Sequence, residues 1–332
     1  MSQESSSSSS SSSSFCSNDE LLRALWQGLF LPSNINAYRL QAYTCTAVIV
    51  LTFMVSTATK NYSQVDKIWS IIPVAYAWMA VVDARTLLMA LVATVWGARL
   101  TWNFHRRGGY TWPYVWRGEE DYRWAEIQKG KFIPGLQAPI PWMIFNLTFV
   151  SFYQNVLLLL IASPSLVAYT VATGECRGNS SSNSSSNNGL ETMDFVATGL
   201  VLLFVLVEGI ADNQQYRFQT EKYRRDHPLT DEYAVGFCQT GLFAVLRKPN
   251  YAAEQAIWIA FYLFSVTATR NWRNWSAAGW ILLCALFQGS AWFTELLTLQ
   301  KYPAYAEYQK RVPLFIPNPL LLLGSGAKDK SN

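Results

Sequence analysis

The stretch Gln41–Thr59, QAYTCTAVIVLTFMVSTAT, carries no charged side chain. A helix needs about 20 predominantly apolar residues to cross the hydrocarbon of a bilayer, and this run meets that length. Runs of the same kind follow at Lys67–Val82, Ala84–Asn103, Pro141–Ala162, Asp194–Ala211, Ala252–Thr267 and Ala277–Thr298. The second and third are joined so tightly around Asp83 that they must form an antiparallel hairpin, and Pro164 ends the fourth. The expected fold class is therefore all-α integral membrane, with seven transmembrane helices. Leu21–Leu31 (LLRALWQGLFL) is too short to span and reads as an interfacial helix.

Composition points the same way. Of 332 residues, 51% are hydrophobic and 15% aromatic, and only 14% are charged, where soluble proteins average about 25% charged. An ordinary soluble domain and a wholly disordered chain are both excluded. The net charge of +4 gives no clustered basic face for nucleic acid. The five cysteines lie far apart with no CxxC pair, and their number is odd, so neither a disulfide framework nor a zinc site is expected. His105 and His227 are the two histidines, which excludes any site needing three imidazoles; no metal is expected. Chemistry is left to carboxylates, Tyr, Asn and Arg.

Residues 1–36 read as a disordered Ser-rich tail with the short interfacial helix, 37–318 as the membrane domain with a flexible lumenal loop at 174–190, and 319–332 as a cytosolic tail. The tail lacks the basic start and apolar core of a cleaved signal, so insertion is expected to rely on the later segments. Lys and Arg collect in His105–Lys131 and Asp212–Asn250, which places both segments in the cytosol. Ser163–Met193 carries Arg177 alone and should be lumenal. The N-terminus is then lumenal and the C-terminus cytosolic, with the endoplasmic reticulum as the expected membrane. Arg270 and Arg273 break this pattern. Asn179 and Asn183 match the N-x-[ST] acceptor in an accessible loop, whereas Asn146 matches inside a helix.

Four constellations are candidates for chemistry. In Trp96–Trp124, Arg99, Asn103, Arg106 and Arg107 recur at helical spacings of three and four, with Glu119, Glu120 and Asp121 available to pair with them. Arg forks suit phosphate oxygens; the alternative is a basic anchor with aromatic residues at headgroup depth. In Glu208–Gln219, Glu208, Asp212 and Gln215 share one face at the end of an apolar run, where an ionisable residue is costly and hence a functional candidate. In Gly236–Trp258, Pro249 makes Arg247–Asn250 a turn, with Lys248 extended, Asn250 a possible cap of the next helix, and Tyr251 and Glu254 beside it. In Phe293–Pro317, Glu295 ends a helix before a Tyr-rich segment, where the rings either stack on a ligand or pack at the interface; Tyr302 and Tyr305 are the candidates for stacking. No Gly-rich dinucleotide fingerprint, phosphate loop, HExxH or nucleophile elbow is present.

Taken in order, the motifs D-x-x-W-S (Asp66, Trp69, Ser70), W-G-x-R-L-T-x-N (Trp96–Asn103), R-R-G-G-Y, E-D-Y-R-W (Glu120–Trp124), A-D-x-Q-Q-x-x-F-Q (Ala211–Gln219), G-F-x-x-T-G-L-F (Gly236–Phe243), P-N-Y-x-x-E (Pro249–Glu254) and F-T-E-x-x-T-x-x-K-Y-P-x-Y-x-x-Y-Q (Phe293–Gln309) resemble the DUF1295 family of the steroid oxidoreductase superfamily, relatives of steroid 5-alpha-reductases. The resemblance runs from about Asp66 to Pro317. It implies a seven-helix bundle whose cytosolic loops close over NADPH, with a hydrophobic, lipid or sterol-like substrate entering from the bilayer. It assigns Asp212, Asn250 and Glu254 to the cofactor or its surroundings, and Glu208 stands where the steroid enzymes have Asn. Lys248 and Ala253 stand where the family's turn has His and Gly.

On this comparison and the spacing, the expected activity is reduction of a carbon–carbon double bond in an enone. Asp66 with Tyr110 or Tyr122 would polarise the carbonyl, and Glu254 joins them as a catalytic candidate. Arg99, Arg106, Arg107 and Arg123 would hold the diphosphate and 2'-phosphate. Asn103, Glu208, Asp212, Gln215, Arg247, Lys248, Asn250, Tyr251, Tyr302 and Tyr305 complete the cofactor set. The turn at Arg247–Glu254 also resembles isoprenylcysteine and phospholipid methyltransferases, which use S-adenosylmethionine. A membrane scaffold that kept the fold and lost the chemistry is the third reading.

Overall fold

Apolar runs bounded by caps become long helices. Asn36 accepts from the Arg39 amide at the start of helix α2 (Ala37–Thr59), and Asp83 closes a capping box with Thr86 at the start of α5 (Ala84–Arg106). The computed structural model describes residues 16–31, 35–130, 132–176, 189–224 and 231–317. The Ser-rich tail, Lys131, Arg177, the acceptor sites Asn179 and Asn183 with most of their loop, Arg225, His227 and the 319–332 tail lie outside the described residues.

Among the described residues, regular structure is helical throughout. Five helices are long and apolar enough to cross a membrane: α2, α5, the continuous Pro139–Ala172 helix, α9 (Thr192–Lys222) and α12 (Ala277–Lys301). Pro139–Ala172 comprises α7 (Pro139–Phe145), a π-helical segment (Asn146–Tyr153) and α8 (Gln154–Ala172).

The expected span at Lys67–Val82 is not one helix. It breaks into α3 (Gln64–Ile68) and α4 (Ile72–Met79). Pro73 lacks an N–H and sits in the first turn of α4, where a helix starts rather than continues. Eight residues rise about 12 Å, well short of the hydrocarbon thickness. After the single-turn α10 (Asp231–Ala234), the sixth expected span is α11 (Pro249–Thr269), whose buried residues include Glu254, Gln255, Ser265, Thr267 and Thr269. It is long enough but too polar to stand with the five. Seven spans are thus not supported by length and apolarity.

Pro164 does not end its helix, which runs on to Ala172. Ser163 Oγ donates to Leu160 O (2.7 Å) and Ser165 Oγ to Ala162 O (2.7 Å), so hydroxyls occupy carbonyls around the proline, as in other buried helices that carry one. The interfacial stretch forms α1 (Asn18–Phe30), started by a Ser17–Glu20 capping box. Leu21 and Ala24 face inward; Leu22, Trp26 and Phe30 are exposed.

A disulfide joins Cys16, just before α1, to Cys176, just after α8. This corrects the expectation from cysteine spacing, because partners separated by 160 residues leave no local signature. Cys45, Cys238 and Cys284 are free. Alkylating the denatured, unreduced protein is expected to label three cysteines and, after reduction, five; intact-mass analysis reads the difference, and five labelled without reduction would contradict the bridge.

Around that disulfide the helix ends are tied together. Tyr38 at the start of α2 hydrogen-bonds Thr170 in the last turn of α8 (2.6 Å) and Glu175 just past its end (2.8 Å). Arg85 pairs with Asp194 (2.9 Å) and Glu191 (3.2 Å), joining α5 to α9. Glu191 also pairs with Arg270, so one of the two cations that broke the charge pattern is already neutralised. The opposite ends of these helices surround a cavity.

Candidate functional site

The C-terminal halves of α5, α9 and α12 and the N-terminus of α11 enclose a cavity of about 1540 Å³, together with α3 and α6 (Tyr122–Gln128). Its floor holds one guanidinium among three carboxylates. Arg99 Nη1 stands 2.5 Å from Asp212 Oδ2, and Nη2 stands 2.7 Å from Glu208 Oε2 and 4.0 Å from Glu254 Oε2. Glu208 and Asp212 are four residues apart on α9, so one arginine reaches both. Glu254 is held independently: Trp96 Nε1 donates to Oε2 (2.8 Å) and Trp258 Nε1 to Oε1 (3.0 Å), and the two indoles meet edge to face at 4.8 Å. The cluster pins α5, α9 and α11 to one point. All three carboxylates line the cavity, whereas Arg99 lies behind them and does not.

On one wall, Asp121 caps α6 and grips Arg123, with Nη2 at 2.6 Å and Nε at 2.9 Å; Arg123 Nη1 donates to Ser290 Oγ on α12 (2.5 Å). Asp66 lies beside this pair and accepts from Trp124 Nε1 at 3.4 Å. Burial, then the negative charge of Asp121, pushes the Asp66 carboxyl above its ordinary range. Burial acts on Asp121 in the same sense, but Arg123 outweighs it and leaves that carboxyl lowered. The two neighbouring acids are thus shifted in opposite directions, Asp66 toward its protonated form and Asp121 toward its charged one.

Profile comparison matches residues 52–312 to the family described as a protein of unknown function, DUF1295. The chain belongs to the DUF1295 family. It is similar to the uncharacterized protein C594.04c of Schizosaccharomyces pombe, 33% identical over 280 residues that cover 79% of this chain and 74% of that protein. No solved structure matches.

Most of the residues singled out from the sequence of this DUF1295 protein converge on the cavity. Asp66, Tyr122, Glu254, Asn103, Arg106, Arg107, Arg123, Glu208, Asp212, Gln215, Arg247, Lys248, Asn250, Tyr251, Tyr302 and Tyr305 all line it. Tyr110 does not: its hydroxyl donates to Lys67 O (2.5 Å) and its ring packs on Phe104. Glu119, Glu120 and Asp121 do not pair with the α5 arginines as expected. Glu120 accepts from the Tyr62 amide at 2.5 Å, and Asp121 serves Arg123. Asn250 is not a cap; Lys248 holds that position and Pro249 the first helical one, which leaves Asn250 inside the first turn.

The cations divide into committed and available ones. Arg247 is committed, bonded to Glu295 (2.6 and 3.1 Å) and to the carbonyls of Gln309 and Val312 (3.0 and 2.6 Å). Tyr305 and Gln309 also bond Glu295, so this knot holds α13 (Tyr305–Arg311) against α12. Arg106 leans on Asn103 and Asn213 and covers the Tyr216 ring at 4.6 Å. Arg107 is exposed at the cavity with no hydrogen bond or ion pair among the described residues. Lys248 rests over the Tyr251 ring at 5.6 Å.

Two cavity contributions were not read from the sequence. Lys222 reaches Gly236 O (2.7 Å) and Tyr302 Oη (2.8 Å); burial raises the Tyr302 phenol, but the Lys222 bond outweighs it and holds that group below its usual range. Ser290, which receives Arg123, has no signal in a helix read only for apolarity. The Glu254–Trp258 bond lay within reach, since the two are one turn apart.

Proposed function

We propose that this DUF1295 protein is a membrane-embedded, NADPH-dependent reductase of a carbon–carbon double bond in a hydrophobic enone, related to the steroid 5-alpha-reductases and resident in the endoplasmic reticulum membrane with the cavity facing the cytosol. The observation that carries the reading is the placing of Asp66, whose carboxyl is raised by burial and by Asp121, with available cations in one cavity at the end of the bundle. The cavity's volume of about 1540 Å³ exceeds the range of about 300–1,000 Å³ usual for small-ligand pockets, which suits a dinucleotide together with a lipid. The disulfide at the far end of the bundle suits an oxidising lumen on that side and a reducing cytosol at the cavity.

The residues fit the cofactor's chemistry. Arg107 and Lys248, neither side chain held by a hydrogen bond to a described residue, offer positive charge for phosphate oxygens, and Tyr251 and Tyr302 offer ring faces and hydroxyls. Bound NADPH would supply a hydride to the β-carbon of the enone, and the resulting enolate would take its α-carbon proton from water. Asp66, kept protonated by burial and by Asp121, donates a hydrogen bond to the carbonyl oxygen as negative charge develops there. Glu254, clamped by two indoles and close to Arg99, positions rather than reacts. Arg123 keeps Asp121 charged, and that charge holds the Asp66 proton in place.

Arg107→Ala is expected to weaken NADPH binding by about 10–100-fold, the loss of a charged hydrogen bond worth roughly 1.5–3 kcal/mol, without a change in thermal unfolding; fluorescence titration and a melting curve on the same sample check both. The activity itself is tested by incubating the protein in nanodiscs with membrane lipid extract and NADPH deuterated at the transferring position. A deuterium appearing in a saturated lipid product supports the reading, and its absence across extracts that contain enones overturns it.

A further inference from the structure

A second polar site lies inside the bundle, apart from the cavity. Asn146 Nδ2 donates to Ser56 Oγ (2.9 Å), and Asn155 Nδ2 donates to Thr52 Oγ1 (3.1 Å). Thr52 and Ser56 are four apart and share one face of α2. Asn146 and Asn155 are nine apart, about 2.5 turns of regular α-helix, and would then point in opposite directions. The π-helical segment Asn146–Tyr153 between them changes that phase and turns both amides onto α2. Such segments are uncommon and collect at functional positions.

The groups gathered there are not all paired. Ser151 Oγ, Asn155 Oδ1, Gln41 Oε1 and the Tyr76 hydroxyl are buried without a hydrogen-bond partner, and their residues are at most 1% exposed. They are linked in sequence: Gln41 Nε2 donates to Tyr76 O (2.9 Å), the Tyr76 hydroxyl faces the Cys45 thiol, that thiol stands 3.8 Å from Asn155 O, and Asn155 Nδ2 donates to Ser151 O (2.7 Å). None of these residues lines the cavity. Several unmet polar groups in one buried place are what an internal water satisfies, since water supplies donors and acceptors at once and the partners already stand on two or more elements. A lipid hydroxyl is a poorer occupant, because the completely buried Tyr76, Ser151 and Asn155 leave no opening for its chain.

We propose that the interface of α2, α4 and the π-helical segment is a water-binding site, built by the π segment and holding ordered water against Gln41, Tyr76, Ser151 and Asn155. Synchrotron hydroxyl-radical footprinting of the full chain in nanodiscs tests it, since radicals form at bound water. Tyr76, Cys45 and Met79 are expected to be oxidised, at rates several-fold above the equally buried Phe261 and Phe264, and Ser151→Ala with Asn155→Leu is expected to abolish that excess. Labelling of Tyr76 no faster than Phe264, with exposed Trp112 labelled, would overturn the proposal. A melting measurement decides independently: Tyr76→Phe lowers the midpoint if the hydroxyl holds water, whereas a rise would show a dry, unsatisfied group and overturn it.

Discussion

Replacing Arg99 with alanine is expected to destabilise the folded bundle by about 3–5 kcal/mol, the cost of removing one partner from a buried ionic group. Glu208, Asp212 and Glu254 are 4, 6 and 3% exposed, and their common cation is Arg99. Without it three carboxylates face one another at the floor of the cavity, and α5, α9 and α11 lose the point where they meet. Arg99→Lys keeps the charge but cannot fork to both Glu208 and Asp212, so it should fall between wild type and Arg99→Ala. Thermal unfolding in detergent, read for the three proteins under one condition, checks the order. An Arg99→Ala midpoint equal to wild type would remove this cluster from the account of the fold.

The largest effect on rate is expected at Asp66. Asp66→Asn is expected to lower kcat by about 10²–10⁴-fold, the usual contribution of a positioned acid, while the affinity for NADPH stays unchanged because Arg107 and Lys248, the proposed phosphate contacts, are untouched. The wild-type rate should be highest on the acid side and fall as pH rises through the Asp66 pKa, since the protonated carboxyl is the active form. That pKa lies above the ordinary carboxylate range, so the fall comes at higher pH than an exposed aspartate would give. Removing the anion next to it, in Asp121→Asn, takes away one cause of the raised pKa and should move the fall to lower pH. A pH profile that keeps its shape in Asp66→Asn would assign the titration to another group.

Much of the site was legible because carboxylates and arginines stand out in apolar helices, and the i, i+4 spacing of Glu208 and Asp212 announces a shared face. Their partner was less legible, for a physical reason. Arg99 follows the same spacing as Arg106 and looks equally free to bind phosphate, but depth along the helix decides: Arg99 lies seven residues earlier on α5, level with the α9 carboxylates, and is spent on them. The bond of Arg247 to Glu295 was equally out of reach, since Glu295 lies 48 residues away on another helix. The broken span at Lys67–Val82 shows the limit of apolarity as a signal, because Pro73 was read as part of a run although it stands in the first turn of a new helix. The Cys16–Cys176 bridge and the π-helical segment leave no periodic trace at all.

The central claim is that this cavity binds NADPH, and a binding titration tests it without knowledge of the lipid substrate. Purified protein in nanodiscs is titrated with NADPH and, separately, with S-adenosylmethionine, following ligand and tryptophan fluorescence. Saturable NADPH binding that weakens in Arg107→Ala, with no response to S-adenosylmethionine, is the expected result. Binding of S-adenosylmethionine alone would make the protein a methyltransferase, binding of neither would leave a scaffold, and either outcome would contradict the reductase.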